Sequence, residues 1–303
     1  MQAGLSFVPS ASPTAPRAML VLVLAATPSA LAKPRSPPMG WSSWNAFYCN
    51  VHEDDVKANA DQLVSMGLRD LGYSYVNVDD CWNAKARGAS GELVPDPGAF
   101  GSGIPALVKH MHDRNLSLGL YTSQTSATCA GRAGAYGHEA ADSKQYCKWG
   151  VDYLKIDLCG GDAYTQLNTS WVKFAAGLGE CAHPIEMSVE YCGAEHPGGP
   201  AGTDPVSGCG AWVGGLADLW RTSSDLQPTW DSVYATAKLN DQMAGAASVR
   251  PGHFNDPDML QVANFLFADG NLDALEMRTH FALWSIMGAP LILPRPRPLR
   301  LCR

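Results

Sequence analysis

The sequence predicts a (β/α)8 TIM barrel, and three observations carry the prediction. From Pro37 onward, short apolar runs alternate with amphipathic stretches of helical period, an order that produces parallel pairing with right-handed crossovers. Eight such runs fit into about 255 residues, the usual span of a closed barrel. No Gly-x-Gly-x-x-Gly follows the first run, so the main signature of a doubly wound open sheet, the competing arrangement, is missing.

Taken in order, the strands are predicted at 39–44, 73–79, 117–122, 153–158, 185–190, 219–222, 253–256 and 290–293. The amphipathic stretches between them predict helices at 54–71, 104–114, 139–149, 166–179, 230–247 and 272–287. The glycine-rich segment 193–215 is too rich in turn residues for a helix and reads as a long loop after the fifth strand. Beyond Leu293 the pattern stops. Pro294, Pro296 and Pro298 alternate with Arg295 and Arg297, a spacing that excludes an eighth helix. The catalytic barrel is therefore expected over 33–293, incomplete at its C-terminal end, with 294–303 as a Pro/Arg-rich tail foreign to the fold. Without its eighth helix such a barrel exposes the apolar backs of its eighth and first strands. Low stability of the chain as written is expected.

The composition is globular, with 46% hydrophobic and 17% charged residues in 303. A net charge of −7, from 29 acids against 22 bases, argues against nucleic acid or an anionic membrane as a partner. At the N-terminus Arg17 precedes an apolar run over 18–26, followed by the small residues Ala30 and Ala32. That pattern predicts a secretory signal over 1–32; the run is too short to span a membrane. The expected destination is the secretory pathway, ending outside the cell or in a lysosome or vacuole. Nine cysteines fit an oxidising compartment. Cys302, in the aberrant tail, is the obvious unpaired one. Asn115 and Asn168 head N-x-S/T sequons, and Asn115 is expected to be sheltered by the strand that follows it.

In a barrel, catalytic side chains project from the C-terminal ends of strands, and this sequence gathers acids there. Asp79 and Asp80 end the second strand, Asp157 the fourth and Glu190 the fifth; Asp225 follows the sixth, and Asp256 and Asp258 the seventh. A single strand-end carboxylate is ordinarily a helix N-cap or a loop ion pair. Acids after five strands converge on one mouth, where like charges cost stability unless something uses them. Oxygen-ligated metal and glycoside chemistry are the two candidates. Trp41, Trp44 and Trp82 offer faces for a sugar ring, Lys155 and Arg221 oppose a metal, and no His accompanies the acids on strands two, four or six. The reading is a carbohydrate substrate, with no metal and no cofactor.

The strings themselves are specific. Pro37-Pro38-Met39-Gly40-Trp41-Ser42-Ser43-Trp44-Asn45, Asn77-Val78-Asp79-Asp80-Cys81-Trp82, Tyr153-Leu154-Lys155-Ile156-Asp157-Leu158-Cys159, Trp220-Arg221-Thr222-Ser223-Ser224-Asp225 and Asn255-Asp256-Pro257-Asp258-Met259-Leu260 occur in that order. Together they resemble the family 27 glycoside hydrolases, the α-galactosidases and α-N-acetylgalactosaminidases, from about Pro37 to Leu293.

The resemblance implies a retaining α-galactosidase with Asp157 as nucleophile and Asp225 as general acid/base, their carboxyls about 5–5.5 Å apart. Two such groups need different protonation at working pH, and Lys155, on the same strand face as Asp157, would keep the nucleophile charged. Trp41 would stack on galactose, Asp79 and Asp80 would accept from its C4 and C6 hydroxyls, Tyr121 and Lys155 would line the pocket, and Arg221 and Asp258 would hold hydroxyls near C2 and C3. Glu190 falls where galactosidases of the family carry Glu or Cys and the N-acetylgalactosaminidases a small Ser, so it would exclude a 2-acetamido group. Cys49 with Cys81, and Cys129 with Cys159, match the family's disulfides beside the site. A Cys192–Cys209 bridge is expected to close the glycine-rich loop. Cys147 and Cys181, lying on helix patterns, are expected to be buried thiols. No counterpart of the family's C-terminal β-sandwich is expected within these 303 residues. The alternatives are an α-N-acetylgalactosaminidase, a β-L-arabinopyranosidase or an inactive fragment.

Overall fold

The structure, a computed structural model, describes residues 36–159, 167–190 (167 and 168 through their backbone alone), 213–244, 249–262 and 272–295. The expected signal 1–32, the Asn168 side chain, Cys192 and Cys209, Cys302 and the tail from 296 lie outside the described residues. Of the expected loop over 193–215, only the 3-10 turn Val213–Gly215 is described.

Eight strands make one parallel sheet: β1 (Met39–Ser42), β2 (Tyr73–Asn77), β3 (Ser117–Ser123), β4 (Tyr153–Asp157), β5 (Glu186–Val189), β6 (Leu219–Arg221), β7 (Phe254–Asp256) and β8 (Leu291–Leu293). Their order is β7-β6-β5-β4-β3-β2-β1-β8. Each strand pairs with its sequence neighbour, and β8 returns beside β1, with Gly40 opposite Ile292. The seam of the barrel falls between β7 and β8, where the Leu260 N–H donates to the Ile292 carbonyl at 2.9 Å. Every predicted strand is present. β1 and β2 end earlier than expected, at Ser42 and Asn77, because the chain leaves the sheet there to aim Ser43, Asp79 and Asp80 across the mouth. Gly40 permits the closest approach of β1 to β2. A Cβ at this position would lie 2.0 Å from the Tyr75 carbonyl oxygen, a distance no side chain tolerates.

The helices are α1 (Trp44–Phe47), α2 (Glu53–Ser65), α3 (Ile104–His112), α4 (Glu139–Trp149), α5 (Leu167–Gly179), α6 (Trp230–Gln242) and α7 (Ala274–Met287). The short α1 lies at what reads in the sequence as the end of the first strand. In α2, Glu53, Asp54 and Asp55 face the positive end of the helix dipole, and Val56, Ala60 and Leu63 form its buried stripe. It stops short of the predicted 71 because Gly67 turns left-handed at φ 73°; a 3-10 turn, Arg69–Leu71, follows. Asp273 caps α7 by accepting from the N–H groups of Leu275 and Glu276.

The main core fills the barrel and its helix layer, while a second cluster gathers Leu226, Val233, Leu260, Val262, Leu272, Trp284 and Ala289. Leu291 and Leu293 of β8 pack against both, so this last strand joins the two cores. Asn115 is exposed, at a left-handed φ of 54°, and not sheltered as expected. Among the described residues no helix is long and apolar enough to cross a membrane.

Among the described residues three disulfides are present: Cys49–Cys81, Cys129–Cys159 and Cys147–Cys181. The last corrects the expectation of two buried thiols. Neighbouring helices of a barrel run parallel, so the C-terminal ends of α4 and α5 lie side by side. Cys147 on the last turn of α4 and Cys181 just beyond α5 thus meet with Cα atoms 5.3 Å apart, within bridging range. This bridge encloses a sequence separation of 34 on the helix layer, away from the strand ends. Replacing both cysteines by Ser is expected to cost about 3 kcal/mol in urea unfolding while leaving the mouth, read by hydrogen exchange of the strand-end amides, unchanged.

Candidate active site

The strand ends bring the predicted acids together around two cations. Lys155 Nζ lies 3.0 Å from Asp79 Oδ2 and 3.1 Å from Glu190 Oε1. Glu190 Oε1 also meets Arg221 Nη1 at 2.9 Å, and Arg221 Nη2 reaches Asp258 Oδ2 at 3.1 Å and Asp225 Oδ1 at 3.2 Å. The result is a continuous ladder of alternating charge across the mouth. Strand register builds it: Tyr121 stands opposite Lys155, Ser123 opposite Asp157 and Arg221 opposite Asp256. Burial alone would lower the Lys155 ammonium, but Asp79, Glu190 and Asp157 outweigh it and hold the group well above its ordinary value. Arg221 is held up in the same way, chiefly by Asp258 and Glu190.

Asp157 closes β4. Its Oδ2 accepts from the Tyr121 hydroxyl at 2.7 Å and its Oδ1 from the Leu158 N–H at 2.6 Å. Burial, and after it the Glu190 charge, pushes this carboxyl up to about 7; Lys155, the Tyr121 hydroxyl and the Leu158 N–H favour the anion. Burial and the Asp157 charge raise the Tyr121 phenol far above its ordinary value, so it stays a donor. The sulfurs of Cys129 and Cys159 lie by this pair, Cys129 3.6 Å from Asp157 Oδ2 and Cys159 3.6 Å from the Tyr121 oxygen. Those two sulfurs and Asp157 have the spacing of a metal cluster, but the sulfurs are bonded to each other and offer no thiolate.

Asp79 and Asp80 sit where β2 leaves the sheet. The Asp79 N–H donates to Ser43 Oγ at 2.9 Å, and Asp79 Oδ1 accepts from the Asp80 N–H at 2.8 Å. Asp80 is buried; one oxygen accepts from the Cys81 N–H at 2.6 Å and the other from the Ala130 N–H at 2.8 Å. It therefore ties the loop after β2 to the loop after β3. With Cys49–Cys81 before it and Cys129–Cys159 after it, four successive loops are stitched together.

On the other side of the mouth Asp258 has a left-handed φ of 80°, a strained state for a residue with a side chain. It is fixed there because its oxygens accept from Leu226 N–H at 2.8 Å and Met259 N–H at 2.6 Å, and its own N–H donates to Asp256 Oδ1 at 2.9 Å. Burial pushes Asp258 up to about 7 against the pull of Arg221. Asp225 is different in kind: its side chain is 80% exposed, at the rim, in contact with Arg221.

Trp41 is not where a stacking platform would be. It is fully buried, edge-on to Phe47, and its indole N–H donates to the Pro294 carbonyl at 3.1 Å. Trp82 is buried as well, donating to the Tyr121 carbonyl at 2.7 Å; of the three tryptophans noted in the sequence only Trp44 is partly exposed. The cavity at the strand ends takes in Asp79, Tyr121, Lys155 and Asp258, and also Asp256 and Met259. These last two had no assigned role in the sequence reading. The signal was there, since both lie in the Asn255–Leu260 string.

The raised Asp157 carboxyl is a cost to the fold whenever it is charged. Its folded value lies above that of an unfolded aspartate, so the penalty is full above about pH 7 and shrinks as pH falls toward the unfolded value. Asp157→Asn should therefore raise the Tm at pH 7.5 by a few degrees, at about 2–4 °C per kcal/mol relieved. The gain should be smaller at pH 5, and a lower Tm at both pH values would contradict this account.

The sequence matches the family described as Melibiase_2, alpha galactosidase A, over residues 36–299. An alpha-galactosidase of Oryza sativa subsp. japonica is 38% identical over 260 residues, covering 86% of this chain and 58% of the relative. An alpha-N-acetylgalactosaminidase of Gallus gallus is 37% identical over 272 residues, covering 86% of this chain and 64% of the relative. The crystal structure of alpha-galactosidase I from Mortierella vinacea superposes with a TM-score of 0.74 at 28% identity, covering 87% of this chain and 68% of the other. The chain thus spans a little under two thirds of the length of the curated relatives it matches. On five ordered motifs, an eight-stranded parallel barrel and a match over residues 36–299, this chain belongs to the alpha galactosidase A family.

Proposed function

We propose that this chain is the barrel of a retaining α-galactosidase that releases terminal α-D-galactose from α-galactosides such as galactooligosaccharides, galactolipids or galactomannans. One observation carries the proposal: a half-buried carboxyl at the end of β4, donated to by Tyr121 and near Lys155, shares its mouth with an exposed carboxyl on Arg221. Asp157 attacks the anomeric carbon as the bond to the leaving oxygen breaks, and Asp225 delivers a proton to that oxygen. Asp225 then takes a proton from water, whose oxygen displaces Asp157 from the same carbon. Two inversions leave the configuration unchanged. Lys155, the Tyr121 hydroxyl and the Leu158 N–H favour the attacking anion of Asp157 against burial and the Glu190 charge, while the exposure of Asp225 leaves room for a leaving group and then a water.

Asp79 and Lys155 face the cavity with Tyr121, and ionised partners make the stronger hydrogen bonds to hydroxyls. In the proposed pose Asp79 and Asp80 serve the C4 and C6 hydroxyls, and Arg221 and Asp258 those near C2 and C3. Trp41 supports this floor from beneath by packing. No metal or cofactor takes part. Glu190, held between Lys155 and Arg221, cannot swing aside, and this favours galactose over a 2-acetamido sugar. The three disulfides among the described residues fit a protein made for an oxidising compartment, in line with the secretory signal expected over 1–32.

The direct test is hydrolysis of a nitrophenyl α-galactoside by the purified chain, with the anomer first released identified by NMR; a β-anomer would reject retention. Asp157→Asn should abolish turnover. Asp225→Ala should lower kcat/KM by about 10²–10⁴-fold on an α-galactosyl disaccharide and far less on the activated aryl substrate. Equal losses on both would remove the acid/base assignment. Glu190→Ser should admit α-N-acetylgalactosaminides to measurable hydrolysis, and an unchanged preference at C2 would move Glu190 out of that subsite.

A further inference from the structure

The exposed carboxyl of Asp225 touches Arg221 through one oxygen at 3.2 Å, a rim contact too weak to fix a rotamer by itself. The main chain also sets its aim, and the next residue is gripped on both sides. The Leu226 N–H donates to Asp258 Oδ2 at 2.8 Å, and the Leu226 carbonyl accepts from Gln261 Nε2 at 2.7 Å. The Leu226 side chain is itself buried in the second core cluster.

Gln261 is buried and held from two further elements. Asn45 on α1 donates through Nδ2 to Gln261 Oε1 at 3.2 Å, and the Gln261 N–H donates to His280 Nε2 on α7 at 3.0 Å. A carbonyl can only accept, so the bond to Leu226 fixes which way the Gln261 amide faces. His280 must be neutral to accept at Nε2, and burial holds it down to about 4. Its ring meets Trp284 edge-on at 4.1 Å, and Trp284 Nε1 donates to the Asp258 carbonyl at 2.8 Å. Helix α7 thereby seats both residues that grip Leu226.

Bonds from α1, α7 and the loop after β6 thus meet on Gln261, next to the residue that follows the acid/base. We infer that Gln261 is a positioning residue for the general acid/base, holding Asp225 on line through the Leu226 carbonyl while His280 and Asn45 orient Gln261. The inference rests on the assignment of Asp225 proposed above. A displacement of about 1 Å at a proton donor costs on the order of 10²-fold in rate, and the loss falls where the leaving group needs the proton.

The full chain carrying Gln261→Met, which keeps the length and loses the donor, separates the cases. Against an α-galactosyl disaccharide its kcat should fall by about 10²-fold with KM little changed, and against a nitrophenyl α-galactoside by less than about fivefold. Gln261→Glu, ionised and without the donor, should show the same split if the Met variant does not fold. His280→Leu should reproduce it, whereas His280→Gln, whose amide oxygen can accept from the Gln261 N–H, should restore the disaccharide rate. Equal losses on both substrates for the folded Gln261 variants would overturn the inference, as would no loss. Asp225→Ala serves as the reference. If it lacks the leaving-group split, the acid/base assignment has failed; if it shows the split and the Gln261 variants do not, only the positioning role has failed.

Discussion

Lys155 and Arg221 are the two charges on which the rest of the mouth depends. Asp79, Asp157, Glu190, Asp225, Asp256 and Asp258 crowd onto neighbouring strand ends, most of them buried or nearly so. Taking so many carboxyls out of water is costly, and unpaired they would stay protonated or force the strands apart. The two cations reach four of them directly and bind them into one arch. The pairing is incomplete around Asp157, whose carboxyl is pushed up by burial and the Glu190 charge. That incomplete compensation places a cost to stability at the carboxyl that the proposed chemistry uses.

Strand and helix order was legible because it rests on local signals. An apolar run bounded by turn residues, then a stripe at helical spacing, recurs through the chain, and all eight strands appear where that rhythm puts them. The strand-end acids were legible for the same reason, since a barrel fixes which end carries chemistry. The short α1 was not, because one turn holds too few residues to show a period.

Other features depend on contacts between distant parts of the chain, and these stayed hidden. Cys147 and Cys181 read as core thiols, because nothing in their own segments says that two helices end side by side. Trp41 reads as a platform, yet the Pro294 carbonyl, 253 positions away, takes its indole N–H. Gln261 and His280 gave no signal at all. A polar side chain in an apolar stretch shows its use only when its partners on three elements are known.

Among the described residues the stitching of the loops is one-sided. Cys49–Cys81, the Asp80 carboxylate on Ala130 and Cys129–Cys159 fasten the loops after β1, β2, β3 and β4 in series. After β6 and β7 the described residues are held by hydrogen bonds and ion pairs. The two halves of the mouth should therefore differ in what they tolerate. On the stitched side an insertion or a bulkier residue strains several loops at once, so change there is felt across half the rim. On the other side a loop can lengthen or repack with only local losses. New leaving-group preferences would then arise by remodelling the loops of the second half, with the nucleophile's surroundings left as they are.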